Sequence, residues 1–342
     1  MDQVLSATPK VTVLMSVYNG EKFLREAVDS ILQQTFHDFE FLIIDDASTD
    51  STANILQRYE DPRIILIRNP ENLGLTKSLN KGLKRAMGDF IARMDADDVS
   101  LVQRLEKQVL FMDAHPDIGV CGTWMEMTGD STNSVLSSAT KHEEIITGFL
   151  FGNTIFHPTV IIRKETIFNL GEFYDEQYQQ AQDMEYWVRL SNREVKFANI
   201  SEVLLKYRLH DTNVGKIFVD NQGKNADSVM YMQVQKLGIV LTEEEKLSYT
   251  VLKKGIPANQ ESVEKVSQLI TKILKANDTK KIYPAPVLSR ELAQRWLRVC
   301  LHSSSIGLSA WRIYFNNAVS RHQKLNFLLK TYFYVKCLLR SN

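Results

Sequence analysis

Three aspartates follow a short apolar stretch of the chain: Asp95, Asp97 and Asp98. Charges of one sign this close together repel each other, and burying them costs free energy unless a cation compensates. Side chains alternate along a strand, so Asp95 and Asp97 can point the same way where the strand ends. They would offer hard oxygen ligands to Mg²⁺ or Mn²⁺, cations that bind diphosphates. The alternative is an acidic turn that caps the following helix, and for Asp98 alone we favour this cap.

Two further polar clusters follow apolar stretches, at Ser16–Asn19 and at Asp45–Ser48. A carboxylate at Asp46 can accept the imide N–H of uracil; the alternative is a turn aspartate that caps the next helix. The loop after the first stretch, Asn19–Lys22, is not a glycine-rich phosphate-binding loop. This argues against a dinucleotide-binding fold and against a Walker loop.

The elements that position these clusters alternate between strand and helix over the first hundred residues. This alternation predicts a parallel sheet covered on both faces, with ligands bound beyond the carboxyl ends of the strands. The predicted strands are 11–18, 39–44, 63–68 and the stretch that ends in Asp95; the predicted helices are 23–34, one through Tyr59, 75–87 and 101–114. We expect Ser48, Thr49 or Asp50 to cap the second helix, and Gly88 to close the third at C′.

Beyond residue 117 the pattern is mixed. Residues 118–127 and the stretch from Val135 predict a hairpin around residues 128–131, and residues 159–162 predict another strand. A helix is expected over 183–190 and extended structure over 195–208. From about residue 220 only helical patterns remain. The predicted fold class is α/β, a Rossmann-like mixed sheet with helices on both faces, followed by an all-helical C-terminal extension.

The composition is that of an ordinary soluble globular protein, with 342 residues, 44% apolar and 24% charged. A formal net charge of zero argues against a dedicated nucleic-acid binder. The three scattered cysteines have neither metal-ligand spacing nor a disulfide framework, which favours a reducing cytoplasm. The N-terminus lacks the pattern of a signal peptide, and no run has the apolar length of a membrane span.

Six motifs in order give the chain a specific resemblance. It resembles a family 2 glycosyltransferase of the inverting GT-A type, as found in bacterial surface-polysaccharide synthesis. The motifs are distributed over residues 11–214 and read SVYNGEKFLREAVDSILQQTFHDFEFLIIDDASTDST, NLGLTKSLNKGL, DFIARMDADDVSLVQRLEKQ, HPTVIIRKE, QDMEYWVRL and YRLHDTNV. The resemblance implies the GT-A fold, a nucleotide-sugar donor, most simply a UDP-sugar, and Mn²⁺ or Mg²⁺ as cofactor.

The resemblance also implies roles for residues at the donor side of the site. Ser16, Tyr18 and Glu21 would line the nucleotide pocket, and Asp46 would meet the base. Asp95 would reach the ribose or the donor sugar, while Asp97 would coordinate the metal on the diphosphate. His210 occupies the position of a family histidine near the diphosphate or the metal; the alternative is a surface histidine after a strand.

On the acceptor side, Asp183 occupies the position of the family's catalytic base. Without the resemblance, an aspartate in the first turn of a helix, stabilised by the helix dipole, would be the simpler interpretation. Many family members have glutamate before this aspartate, whereas this chain has Gln182, a difference that bears on how the base is tuned or the acceptor is held. His157 would line the acceptor site or only form a hydrogen bond beside Pro158, and we favour the hydrogen bond.

The implied reaction is inverting sugar transfer, which gives a β-linkage from an α-linked donor, with a glycan or polyprenyl-diphosphate-linked acceptor. One base and one metal site fit transfer better than hydrolysis, which needs two carboxylates flanking the bond. Two alternatives are a catalytically silent nucleotide-sugar-binding or scaffold protein and a sugar nucleotidyltransferase. The retained Asp95, Asp97 and Asp183 argue against the first, and the missing glycine-rich loop argues against the second.

We expect a catalytic domain over 1–219, with a nucleotide-sugar half of about 1–105 and an acceptor half of about 106–219. Residues 220–342 form the helical region. After Glu291 the chain has eight Lys and Arg residues and no Asp or Glu. This basic, aromatic segment over 292–342 predicts peripheral contact with an anionic membrane, at the inner face of the cell membrane. The alternative is a helical segment packed on the catalytic domain.

Overall fold

The structure, a computed structural model, describes residues 8–129, 134–178, 180–210 and 219–340. Its strands are β1 Val11–Val17, β2 Phe39–Asp45, β3 Ile64–Arg68, β4 Phe90–Asp95, β5 Val99–Ser100, β6 Ile118–Thr128, β7 Ser134–Leu136, β8 Ile161–Arg163 and β9 Lys196–Arg208. Its helices are α1 Leu24–Leu32, α2 Thr52–Leu56, α3 Leu75–Arg85, α4 Arg104–Ala114, α5 His142–Gly148, α6 Lys164–Leu170, α7 Gln182–Asn192, α8 Val219–Lys236, α9 Glu243–Lys254, α10 Gln260–Lys280, α11 Ala285–His302, α12 Leu308–Asn316 and α13 Phe327–Leu338. The predicted turn residues Asp130 and Ser131, and the end of the YRLHDTNV motif, lie outside the described residues.

The chain divides into two compact units. The first comprises Met1–Ile145 and Asn153–Ala226, and the second comprises Ile146–Gly152 and Asp227–Asn342. The first unit contains the sheet and the residues predicted to act on the sugar. The division of the catalytic region near residue 105 stays a prediction.

The first unit is built on one mixed sheet with the strand order β3-β2-β1-β4-β8-β6-β9-β5, and β7 pairs with β6. β1, β2, β3 and β4 pair parallel with one another, as predicted, while β8 runs antiparallel to both β4 and β6. Almost every residue of β1, β2 and β4 is buried, as expected for central parallel strands covered on both faces. The predicted mixed α/β sheet is confirmed.

Two local predictions are wrong. α2 begins at Thr52 and ends at Leu56, and its N-cap is Ser51 rather than Ser48, Thr49 or Asp50. Asp50 nevertheless accepts a hydrogen bond from the Thr52 N–H at 2.9 Å. Gly88 does not form a left-handed C′ residue after α3, because the helix ends at Arg85 and its C-cap residue is Ala86. Glycine is required there because a Cβ atom would collide with the backbone of Val11 and Thr12 in β1.

The second unit is helical throughout its described residues, as predicted for the region beyond 220. The segment 146–152 belongs to it because Phe151 stacks on Tyr249, with ring centroids 5.8 Å apart, and lies under the guanidinium of Arg295. α11 buries Trp296, whose indole N–H donates to the Tyr314 carbonyl at 3.3 Å. Among the described helices, none combines the length and apolar character needed to cross a membrane.

Candidate functional site

Strand register brings the predicted clusters to one edge of the sheet. Ser16 in β1 lies opposite Asp95 in β4, and Val17 lies opposite Asp45 in β2. Asp46 follows directly, and its N–H donates to the Val17 carbonyl at 2.8 Å. Because these strands are parallel, their polar carboxyl ends face the same side of the molecule, where ligands bind in open α/β sheets.

The acidic cluster consists of Asp95, Asp97 and Asp98. Each contributes one carboxylate oxygen, and these oxygens all lie within 4.8 Å of one another. Asp98 is fully buried, and its Oδ1 accepts a hydrogen bond from the Arg208 N–H at 3.0 Å. Its Oδ2 has no hydrogen-bond partner within the described parts of the chain. The expected helix cap at Asp98 is wrong, because α4 begins after Gln103 and the carboxylate faces the cluster instead.

The electrostatics of this cluster favour a bound cation. Burial and the charge of Asp95 raise the pKa of Asp97. Burial together with the charges of Asp95 and Asp97 raises the pKa of Asp98 well above its usual range. Three carboxylates therefore destabilise one another at neutral pH. A divalent cation would remove that repulsion and would give the buried Oδ2 of Asp98 a partner.

The end of β9 lies beside the acidic cluster. β5 pairs antiparallel with β9, so that Val99 faces Lys206, and this places Arg208 and His210 beside the cluster. Arg208 Nε donates to the Asp97 carbonyl at 3.0 Å, and its guanidinium lies over the Phe23 ring. The Nε2 atom of His210 lies 2.9 Å from Oδ2 of Asp97. His210 thus contacts Asp97, a candidate metal ligand. It is not itself a member of the acidic cluster, whose converging ligand atoms are carboxylate oxygens.

Arg93 is the buried cation at the centre of the site. It is the fourth residue of β4, is 4% exposed, and forms an ion pair with Asp95. The charge of Asp95 raises the pKa of this guanidinium against the effect of burial. Its own charge opposes the rise in the pKa values of Asp97, Asp98 and Asp183. The acidic cluster and the predicted base therefore lie within electrostatic range of the same guanidinium.

Asp183 is the second residue of α7, and its Oδ2 accepts a hydrogen bond from Asn153 Nδ2 at 2.6 Å. Burial raises the pKa of this carboxyl, and the Met184 N–H, Arg93 and Asn153 oppose the rise. The residue before the helix, Ala181, has left-handed backbone with φ 59°. Such strain in a residue with a side chain is characteristic of functional sites.

Of the two residues predicted for the acceptor, Gln182 directly precedes the predicted base Asp183 in the chain. Gln182 is buried as the first residue of α7. His157 is also buried, and its Nε2 lies 2.8 Å from the hydroxyl of Tyr174, so the favoured hydrogen-bond interpretation is present. Burial and the charge of Arg93 lower the pKa of His157 well below its usual range. His157 is therefore a neutral, hydrogen-bonded ring at physiological pH, and a contact with the acceptor stays a prediction.

Two loops at the predicted nucleotide pocket are joined by hydrogen bonds. The N–H of Glu21 donates to Asp50, and a carboxylate oxygen of Glu21 accepts from the Ser51 N–H at 2.9 Å. Gly20 donates to the Thr52 hydroxyl at 2.8 Å. Tyr18 stays half exposed at the mouth of these loops. Asn19 and Ala47, in these loops, also have left-handed backbone. Together with Ala181, they lie directly beside the predicted site residues Tyr18, Asp46 and Gln182.

Asp46 has both carboxylate oxygens engaged. Oδ1 accepts from Asn69 Nδ2 at 2.7 Å and from the Leu73 N–H at 2.9 Å, and Oδ2 accepts from the Gly74 N–H at 2.8 Å. The side chain is 2% exposed. Asp46 therefore anchors the loop over residues 69–74 that precedes α3. A base contact would have to use the second lone pair of one oxygen.

Sequence comparison places the chain in a family. The model of glycosyl transferase family 2 matches residues 12–168. A glycosyltransferase of Methanocaldococcus jannaschii is 36% identical over 208 residues, which cover 59% of this chain and 71% of the relative. The chain belongs to glycosyl transferase family 2. It is therefore a transferase enzyme, as predicted.

Two further similarities concern a relative from O-antigen biosynthesis and the fold. The O-antigen biosynthesis glycosyltransferase WbnJ of Escherichia coli is 31% identical over 60% of this chain and 82% of its own length. The crystal structure of S. aureus TarS in complex with UDP-GlcNAc superposes with a TM-score of 0.56 at 19% identity, and the match covers 92% of this chain and 90% of that one. This likeness confirms the predicted GT-A fold.

Four residues of the site are not among those that the sequence predicts: Arg93, Asn153, Tyr174 and Arg208. The sequence around Arg93 does contain a hint of its role. A charged residue within an apolar strand of a parallel sheet is buried and needs a partner of opposite charge. Asn153, Tyr174 and Arg208 lie in loops or at a strand end far from their partners in sequence. No local pattern identifies them, since Arg208 and Asp98 are separated by 110 residues.

Proposed function

We propose that this enzyme moves one sugar from a UDP-sugar donor to a glycan or polyprenyl-diphosphate-linked acceptor during surface-polysaccharide synthesis. The observation that carries the proposal is the grouping of the acidic cluster and Asp183 within electrostatic range of Arg93. A metal–diphosphate site and a base would then share one cleft. The names of two similar proteins support the donor and the pathway: WbnJ acts in O-antigen biosynthesis, and TarS was solved with UDP-GlcNAc.

The acidic cluster fits a divalent cation, Mn²⁺ or Mg²⁺. Its donor set consists of hard carboxylate oxygens, and the buried Oδ2 of Asp98 has no partner within the described parts of the chain. Asp97 and Asp98 would hold the cation with Asp95, and His210 would act as a further ligand or fix the carboxylate of Asp97. When bound, such a cation neutralises charge that develops on a departing nucleoside diphosphate.

The nucleotide would lie on the loops at the ends of β1 and β2. Ser16 adjoins Asp95 across the strand pair, so a ribose or donor sugar held by Asp95 would extend toward Ser16. Tyr18 presents its half-exposed ring as a stacking surface, and Glu21 fixes the loop that carries it. Asp46 would meet the base from its place beneath the 69–74 loop.

Asp183 would act as the general base. It would take the proton from the acceptor hydroxyl as the hydroxyl oxygen bonds to the anomeric carbon. The bond from this carbon to the diphosphate oxygen would break on the opposite face, so an α-linked donor would give a β-linked product. A raised pKa suits this role, because a base works best when its pKa is near the working pH.

The experiment is a screen of UDP-sugars for acceptor-dependent release of UDP, with Mn²⁺, with Mg²⁺ and with EDTA. We expect release with a divalent cation, loss with EDTA, and a β-configured product by NMR. Asp97→Asn should lose at least about a hundredfold in kcat/KM. Asp89→Asn is the matched control, because Asp89 precedes the same strand at its other end and is exposed.

Two outcomes would reject the proposal. Binding of UDP by calorimetry without sugar transfer to any acceptor would favour a silent nucleotide-sugar-binding protein. Formation of a nucleotide sugar from a sugar phosphate and UTP would favour a nucleotidyltransferase. Full activity in EDTA would reject the metal site. The role of Asp183 as the base would then be tested separately, by the turnover of the Asp183→Asn variant.

A lipid-linked acceptor would require the enzyme to work at a membrane surface. We propose that residues 292–342 make this peripheral contact, at the cytoplasmic face of the cell membrane. Support comes from the charge of the segment, in which no Asp or Glu follows Glu291 while eight Lys and Arg residues do.

A further inference from the structure

Helix α13 is apolar around most of its circumference. On one side Phe333 and Cys337, four residues apart, are buried. Phe333 packs on Trp311 and Tyr314 of α12, with ring centroids 5.3 Å and 5.7 Å away. This side fastens α13 to the helical unit. A helix in water would place polar residues on the opposite side.

The opposite side carries apolar residues instead. We define the α13 outer face as six exposed apolar residues of the helix and its C-cap, which the helical spacing places away from Phe333 and Cys337: Phe327, Leu328, Tyr332, Val335, Leu338 and Leu339. Phe327 is 80% exposed, and Leu328 and Leu339 are each 77% exposed. Single exposed apolar residues are common on proteins, whereas a contiguous set marks an interaction surface.

Cations border this face. The Lys330 ammonium lies over the Phe315 ring and the Lys336 ammonium lies over the Tyr332 ring, each at 5.6 Å. Lys324 and Arg340, beyond the two ends of the helix, are exposed. No carboxylate accompanies them in sequence, since the last acidic residue is Glu291. Apolar side chains bordered by Lys and Arg are typical of a helix that lies in the headgroup region of an anionic bilayer.

The geometry points to an anionic membrane surface as the occupant of the α13 outer face. The helix has 12 residues and is about 18 Å long, too short to cross a bilayer but suited to lying along its surface. A second copy of this chain fits less well. Pairing two outer faces about a two-fold axis would bring the two sets of cations together without a carboxylate to compensate.

This inference assigns one element and named residues to the proposed membrane contact, and it does not depend on sugar transfer. The test is flotation of the full-length protein with vesicles of phosphatidylcholine alone, or of phosphatidylcholine with about one third phosphatidylglycerol. We expect binding to the anionic vesicles and weak binding to the neutral ones. Binding should weaken at high salt because the electrostatic attraction is screened.

Leu328→Ser combined with Leu339→Ser should lower vesicle binding at least about tenfold, because two apolar side chains no longer leave water. The matched control is Val240→Ser combined with Leu247→Ser. These residues are 74% and 70% exposed in the same unit but lie outside α13, so binding should be unchanged. Lys330→Gln should weaken binding roughly fivefold, whereas the exposed Lys275→Gln on α10 should not.

Three results would overturn the inference: no binding of the wild-type chain to anionic vesicles, equal binding by the Leu328/Leu339 variant, or a wild-type dimer that this variant converts to a monomer. UDP binding by calorimetry on the same preparations separates the two proposals. Loss of vesicle binding with intact UDP binding would contradict the membrane contact of α13 alone. Intact vesicle binding without UDP binding would contradict the proposed function alone.

Discussion

The side-chain amide of Asn153 donates a hydrogen bond to the carboxylate of Asp183 at 2.6 Å. This contact fixes one oxygen of the proposed base. It also opposes the effect of burial on the pKa of Asp183. This amide thus orients the group that would accept the proton and, together with the Met184 N–H and the charge of Arg93, favours its ionised form.

Replacing Asn153 by alanine should therefore raise the pKa of Asp183 further. A base acts in its ionised form, so the acidic limb of the kcat/KM profile should move to higher pH. We expect a several-fold loss on the acidic limb of the profile and a smaller loss at higher pH, because the base acts once it is ionised. The measurement is a pH profile, with the exposed Asn169→Ala on α6 as the control. An acidic limb at the wild-type position would contradict this link.

Asp183→Asn should separate stability from activity. Because the folded-state pKa is raised above the unfolded value of about 3.9, the ionised carboxylate opposes folding at neutral pH. The variant should be more stable than wild type at neutral pH, and this advantage should vanish as the pH falls below the unfolded pKa. Turnover should fall about 10²- to 10⁴-fold. Thermal unfolding across pH, together with turnover, tests both effects.

The control for that experiment is Asp38→Asn, because Asp38 is exposed and precedes β2 at the opposite edge of the sheet. It should leave both stability and turnover near wild type. Near-normal turnover in the Asp183→Asn variant would reject the proposed base.

Removal of the charge of Arg93 should destabilise the protein, because the buried carboxylates around it lose a compensating positive charge. Arg93→Met leaves Asp95 without its ion pair and raises the pKa values of Asp97, Asp98 and Asp183. We expect a loss of about 3 kcal/mol in the free energy of unfolding at neutral pH, measured by urea denaturation without metal. The loss should shrink as the pH falls and the carboxylates become protonated.

Arg93→Lys should retain part of the stability because it keeps a positive charge. The exposed Arg25→Met on α1 should cost less than about 0.5 kcal/mol. A loss for Arg93→Met that is the same at every pH would mean that packing, rather than charge, explains the effect.

The parts of the fold that follow from local patterns were predicted. The alternation of apolar strands and amphipathic helices gave β1 to β4 with α1, α3 and α4, because both periods are properties of the nearby sequence. The position of β8 between β4 and β6, and the parallel pairing of β6 with β9, depend on contacts between distant segments. Gly88 shows the same limit, since a close approach by β1, rather than a helix end, requires glycine there.

The site divides in the same way. Asp95 and Asp97 could be found because their spacing alone predicts converging oxygens. The local pattern predicts a helix cap at Asp98, whereas its carboxylate accepts a hydrogen bond from Arg208 of β9, 110 residues away in sequence. Asn153 could not be predicted, because nothing near it in sequence marks it as the partner of Asp183. Sequence thus indicates which groups can react, and tertiary contacts decide how they are held.

Asp46 offers a test that distinguishes support of a loop from recognition of a base. Asp46→Asn keeps one acceptor oxygen and turns an amide N–H₂ toward a backbone N–H, at Leu73 or Gly74. The free energy of unfolding should fall by about 2 kcal/mol. If the remaining lone pair meets uracil, the preference for UDP over ADP in calorimetry should fall as well. Asn69→Ala removes one hydrogen bond to Asp46 but leaves its carboxylate in place. That variant should be less stable than wild type and keep the uracil preference, whereas equal losses of preference in both variants would mean that Asp46 acts only through the loop.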